Sequence, residues 1–315
     1  MTKVLASYIA ALFLAGGPAF AGGGPVRVGA NVWPGYEPLY LARSLGFFSP
    51  DDIRLVEFPS ASEVIRAFRN GQLDAAALTL DEALVLRQSS IPIKIILVMD
   101  VSDGGDVILA KPEIKDFSGL KGKRVAVEST ALGAYVLSRA LEIHGMALSG
   151  VQVVRMDVDT HERAYMDGRV DAVITFEPVR TRLLNKGARE IFSSKQLPGE
   201  IVDVLVIKDS PDSLPQEKLR ALIRGWFAAV DRIRTHPEES ARTMARRLGI
   251  GEKEVLASYQ GIRLASKEQN RSSLGGPKPS LYTVIGRLKK SMVDNNLLSP
   301  QTQMEGAVTA EYLPD

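Results

Sequence analysis

The chain has no cysteine among its 315 residues and only three histidines. Without cysteine there is no disulfide, no thiolate nucleophile, no sulfur-ligated metal and no acceptor for an N-terminal lipid tether. His144, His161 and His236 share no metal-ligand spacing with one another. The phosphate loop, the G-x-G-x-x-G fingerprint and the G-x-S-x-G elbow are all missing. The formal charge is only +2, and the basic residues are scattered. That gives no electrostatic case for nucleic acid or an anionic membrane surface. These absences predict a chain with no cofactor, no metal and no reaction of its own.

Long apolar runs are also lacking. The one candidate, Val4 to Ala15, is too short to span a bilayer comfortably. Lys3 precedes it and Ala19-Phe20-Ala21 follows, so residues 1–21 read as a secretory signal cut after Ala21. A buried N-terminal helix is the competing reading, and Gly22-Gly23-Gly24-Pro25 would break it. An exported chain without a lipid-acceptor cysteine is expected to be a soluble protein of a bacterial periplasm.

What is present is a repeat. At an offset of 97 residues, Arg27-Val28 falls on Arg124-Val125. Arg66-Ala67-Phe68, Gly71 and Asp74-Ala75 fall on Arg163-Ala164-Tyr165, Gly168 and Asp171-Ala172. Asp106-Val107 and Lys111 fall on Asp203-Val204 and Lys208. Identity between the halves is low, but the constant offset over three blocks points to one α/β unit occurring twice.

Within each unit, apolar strands alternate with short helices, which implies parallel sheets flanked by helices. Gly71 and Gly168 are the expected helix stops. After Lys208 the pattern turns helical, and this tail is expected to pack on the first lobe. The chain would then cross between lobes near Asp106 and near Asp203, and two crossings make a hinge; two ordinary core strands are the competing reading. The expected division is residues 25–104 with 206–315 as lobe 1 and residues 105–205 as lobe 2.

In such sheets ligands bind beyond the carboxyl ends of strands, at helix N-termini. Those places hold Asn31, Trp33, Gly35, Tyr36 and Thr79 in the first unit, and Ser129, Thr130, Phe176 and Glu177 in the second. Helix capping competes for Ser129 and Thr130, and core filling competes for Trp33, Tyr36 and Phe176. Acids also gather there: Glu37, Asp81, Asp106, Glu128, Glu177 and Asp203. Two of them facing a cleft would suit an amine, and helix N-termini opposite them would suit a zwitterion.

Trp33-Pro-Gly-Tyr-Glu-Pro-Leu-Tyr-Leu-Ala42, followed by Gly46-Phe47-Phe48, resembles the opening of solute-binding proteins of the nitrate/sulfonate/taurine ABC-transporter class. Arg69 to Ala75, Leu120 to Val127, Gly168 to Pro178 and Glu268-Gln269-Asn270 resemble later signatures of that class. The resemblance implies a type II periplasmic-binding fold: α/β, with two lobes joined by two crossover strands that close around a small solute. It implies ligand contacts from Asn31, Trp33, Gly35, Tyr36, Ser129 and Thr130, and from Thr79, Phe176 and Glu177; the charge pattern adds Asp106 and Asp203. It further implies a monomer that hands a sulfonate-, taurine- or nitrate-like solute to an ABC permease in the inner membrane. The alternatives are a sensor for a membrane signalling protein and a pyrimidine or thiamine-precursor binder or enzyme of the same fold. The pyrimidine synthases of this fold use a cysteine-rich motif, which this chain lacks.

Overall fold

The computed structural model describes residues 24–128, 131–209 and 214–314. The expected signal segment, 1–21, lies outside them. The strands are β1 (Val26–Asn31), β2 (Ile53–Phe58), β3 (Ala75–Thr79), β4 (Ile93–Ser102), β5 (Val107–Ala110), β6 (Arg124–Val127), β7 (Gln152–Arg155), β8 (Ala172–Thr175), β9 (Arg189–Ser193), β10 (Val202–Lys208) and β11 (Ile262–Leu264). The helices are α1 (Glu37–Ser44), α2 (Ala61–Arg69), α3 (Leu80–Gln88), α4 (Ala131–Ile143), α5 (His161–Met166), α6 (Val179–Leu184), α7 (Gln216–Thr235), α8 (Pro237–Leu248), α9 (Glu252–Ser258), α10 (Lys267–Leu274) and α11 (Leu281–Asp294).

Two sheets form. Their orders are β11-β4-β10-β3-β1-β2 and β7-β6-β8-β5-β9. Apart from β11 they have the same topology. In each, a first strand pairs in parallel with its neighbours on both sides, β1 with β2 and β3, β6 with β7 and β8.

The repeat has a physical cause. Arg27 donates to Asp74 from its backbone N–H and from Nε, both at 2.8 Å, and its Nη2 reaches the Gly71 carbonyl at 3.0 Å. Arg124 makes the same contacts to Asp171 at 2.9 and 3.1 Å, and to the Gly168 carbonyl at 2.9 Å. Each clasp ties the start of a central strand to the turn before its parallel partner. Gly71 and Gly168 hold φ of +75° and +69°, the left-handed backbone where a side chain is strained. The helix stops expected at these glycines are where the sequence placed them.

The Asp-Val repeats mark an exchange. β5 leaves the first unit and joins the second sheet beside β8, with Val107 opposite Thr175. β10 leaves the second unit and joins the first sheet beside β3, with Val204 opposite Leu78. At the repeat offset these are the same register. Both strands are core strands, as the competing reading had it, and the crossings are the segments just ahead of them, near 103–106 and 194–201. The crossings are tied together: Ser102 Oγ lies 2.8 Å from Ser194 Oγ, whose oxygen also accepts from the Gly104 N–H at 2.7 Å. Because β10 lies wholly in the first sheet, the chain re-enters that half before Val202, ahead of the boundary expected after residue 205.

The helical tail packs on the first sheet, as expected. Leu219, Leu222, Ile223 and Trp226 of α7 join one of its faces, and Ile285, Leu288 and Met292 of α11 join the other. The Asn270 side chain accepts from the Val98 N–H at 2.7 Å and donates to the Val98 carbonyl at 2.9 Å, completing the bulged β4 backbone.

Burial pushes the Asp74 carboxyl up, but the Arg27 hydrogen bonds more than offset this and hold it below its ordinary value of 3.8. A depressed folded-state pKa contributes stability above the unfolded value, lost as pH falls through the folded one. Asp74→Ala is therefore expected to lower the unfolding free energy by about 1–2 kcal/mol at neutral pH, given partial exposure. Asp171→Ala acts in the same direction. Urea titrations should show the Asp74 difference shrinking once pH drops below 3.8.

Candidate functional site

The carboxyl ends of the parallel strands of both sheets, and the amino ends of the antiparallel strands β5 and β10, face one cleft. The first sheet contributes Asn31 after β1, Trp33 and Tyr36 in the following turn, Ala61 at the start of α2, Thr79 at the end of β3, Glu82 of α3, and Asp203 of β10. The second contributes Asp106, Glu128, Leu132, Gly133, Ile174 and Phe176. The cavity between the halves has a volume of about 30 Å³. The halves are thus shut on a small volume.

Direct contacts hold them there. Ser62, from its N–H and its hydroxyl, donates to Glu128 Oε1 at 3.0 Å in both cases. Trp33 meets Phe176 edge-to-face, with centroids 5.6 Å apart. Asn185 donates to Glu254 at 2.7 Å. Tyr135 of α4 is buried in the first sheet's core and donates to Glu200 on the second crossing.

Of the residues expected to contact a ligand, Asn31, Trp33, Tyr36, Thr79, Asp106, Phe176 and Asp203 come together in this cleft. Ser129 and Thr130 lie outside the described residues. Two expectations need correcting. Glu177 does not face the cleft: its carboxylate accepts from Arg180 Nη1, the Thr181 N–H and the Thr181 hydroxyl, each at 3.0 Å, and so serves the first turn of α6. Gly35 does not line the cleft either. A Cβ there would come 2.1 Å from an Asp100 carboxylate oxygen and 2.2 Å from Trp33 Nε1, so its role is to let the turn close over Asp100.

Among the other acids, Glu37 is taken by Arg247, whose Nε donates at 2.7 Å. Asp81 is buried beside Thr79 without lining the cleft. Glu82, which does line it, accepts the Thr79 N–H at 3.0 Å. Asp100 was not singled out from the sequence. It lies inside β4, two residues before the strand's end at Ser102, and has no match at the repeat offset.

The electrostatics are one-sided. Glu82, Asp106, Glu128 and Asp203 line the cleft, and no lysine or arginine does among the described residues. Burial pushes Asp106 up to about 6 and Asp100 up to about 8, and lifts Asp203 and Glu82 well above the carboxylate range. Burial also raises Glu128. Among the described residues, no three such groups converge as metal ligands.

Residues 33–240 match the family model described as NMT1/THI5 like. The chain belongs to the NMT1/THI5-like family. It is 23% identical over 254 residues to the taurine-binding periplasmic protein of Escherichia coli K12, covering 76% of this chain and 79% of that one. It is 27% identical over 154 residues to the 4-amino-5-hydroxymethyl-2-methylpyrimidine phosphate synthase of Aspergillus parasiticus, covering 48% of this chain and 44% of the synthase. The alkanesulfonate-binding protein SsuA of Xanthomonas axonopodis pv. citri, solved with MOPS, superposes with a TM-score of 0.77 at 17% identity, over 91% of this chain and 98% of that one. The fold is therefore the periplasmic-binding fold expected from the motifs, and a solute-binding role goes with it.

If Glu177 serves α6 alone, Glu177→Ala should lower stability by about 1–3 kcal/mol through its lost hydrogen bonds and leave solute affinity within about twofold of wild type. Paired denaturation and calorimetric titrations check both halves.

Proposed function

We propose that this family member is a periplasmic monomer that captures a small solute bearing a protonated amine and delivers it to the permease of an ABC importer. The observation that carries this reading is the lining: four carboxyl groups and no lysine or arginine among the described residues. An entering ammonium group favours the ionised form of these carboxyl groups and is stabilised by it, whereas a sulfonate or nitrate finds no cation among the described lining residues to meet it. A zwitterion of the taurine kind fits best. Its ammonium would meet Asp203 and Asp106, and its anionic end would lie toward the first turn of α4, where Leu132 and Gly133 line the wall and free N–H groups favour negative charge.

The aromatic pair supports a second reading. Trp33 and Phe176, in contact with each other, could together form one wall against a flat cationic ring such as an aminopyrimidine, with cation–π attraction of about 0.5–2 kcal/mol. Neither reading asks the chain to perform a reaction. Closure would follow binding because both halves touch the solute only when shut. Ser62–Glu128 and Trp33–Phe176 are the contacts that shutting completes.

A thermal-shift screen tests the class of solute. Taurine, an aminopyrimidine or choline should raise the melting temperature, since a ligand at a hundred times its Kd adds about 2.7 kcal/mol. Nitrate and ethanesulfonate should do nothing. Shifts with nitrate or ethanesulfonate alone would refute the amine requirement. Asp203→Asn is expected to weaken the productive ligand at least tenfold, about 1.4 kcal/mol. Of the two tryptophans, only Trp33 lines the cleft, while Trp226 is buried in the α7 core. Ligand-induced fluorescence changes should therefore survive Trp226→Phe and vanish in Trp33→Phe.

A further inference from the structure

Asp203 on β10 stands directly opposite Asp100 on the adjacent antiparallel strand β4. Opposite residues on neighbouring strands project from the same face, and both of these are buried. Tyr36 donates its hydroxyl to Asp203, and Trp33 Nε1 lies 3.3 and 3.4 Å from the two Asp100 oxygens. Only Asp203 reaches the cleft; Asp100 lies behind it, beneath the turn that carries Trp33, Gly35 and Tyr36.

The titratable groups around this pair are all acids. Tyr36 faces it from the turn, Glu82 from α3, Asp106 from the first crossing and Tyr259 from the end of α9. Asp81 and Glu128 act in turn on Glu82. Arg247 bears on Tyr259, but it is ion-paired to Glu37 and Glu57. Two buried carboxylates facing one another across adjacent strands repel unless a proton or a cation joins them.

We propose that Asp100 and Asp203 share one proton while the cleft is empty and expel it to solvent when a cationic solute enters. This rests on the reading of the cleft as a cation site. The exchange is balanced: the shared O–H bond breaks, the proton passes to bulk water, and the solute's positive charge takes its place, leaving both carboxylates ionised. Burial, which raises Asp100 to about 8 and lifts Asp203 well above the ordinary carboxylate value, agrees with a proton held at neutral pH. The sign follows from competition. Below the pK of the pair, affinity for a cation of fixed charge falls about tenfold per pH unit; above it, affinity levels off.

Two measurements test this. Infrared spectra of the empty protein near pH 7 should contain the carbonyl stretch of a protonated buried carboxyl. That band should keep its full intensity in Glu177→Gln and weaken in the Asp100→Asn/Asp203→Asn double variant, where the buried Glu82 carboxyl retains its own share; an unweakened band there overturns the proposal. Its absence from the wild-type protein overturns the proposal. Choline, whose charge does not titrate, then serves as the calorimetric probe for wild-type protein in buffers of different ionisation enthalpy. Close to one proton released per choline bound, with affinity rising about tenfold per unit between about pH 5.5 and 7.5, is the expected result. Choline that binds equally well throughout, with no proton released, overturns the coupling. Choline that does not bind at any pH counts against the cation reading instead, and the infrared band still decides whether the pair holds a proton.

Discussion

The Arg–Asp clasp at the base of each unit sets the geometry on which the rest depends. Arg27 on Asp74 aligns Val28 with Ala75, and Arg124 on Asp171 aligns Val125 with Ala172. With the strand starts level, the far ends are level too. Asn31 and Thr79 emerge side by side from one sheet, and Glu128 and Phe176 from the other. A slip of one residue would turn every side chain to the opposite face and scatter these groups. The clasps lie far from the cleft, yet they are what makes its two rims repeat each other.

Strand exchange adds the third component. Since β5 and β10 each complete the sheet of the other unit, the chain crosses twice at one place, and Ser102 and Ser194 pin the crossings together. Asp106 and Asp203 begin the exchanged strands at matching repeat positions, so each delivers a carboxyl group to the cleft. The fold therefore concentrates negative charge where its halves meet. Burying such groups without a counter-charge opposes folding, which agrees with the proposed role in a solute site.

Much of this was legible in the sequence because it repeats. Arg27, Gly71 and Asp74 recur with their spacing intact, as each clasp needs all three. Asp106 and Asp203 recur because the same crossing is built twice. Trp33 and Tyr36 were legible as aromatics beside a Pro-Gly turn at a strand end. What eluded the sequence has no such signature. Asp100 lies inside a largely apolar strand with no turn or glycine beside it, and its pairing with Asp203 depends on the register between strands about a hundred residues apart. Glu177 looked like a cleft acid because it follows a strand end. Its backbone course instead returns the carboxylate onto Arg180 and Thr181, a local hydrogen-bonding choice that charge patterning cannot reveal.

In the proposed function, two repeated units close an acid-lined cleft on a positively charged group. A crystal structure of the protein with its bound solute tests it most directly. The predicted result is a solute nitrogen within hydrogen-bonding distance of Asp203 and Asp106, packed against Trp33 and Phe176, with both sheets in contact. A solute whose anionic group sits against Asp203, or one bound outside the space between the two sheets, would contradict it.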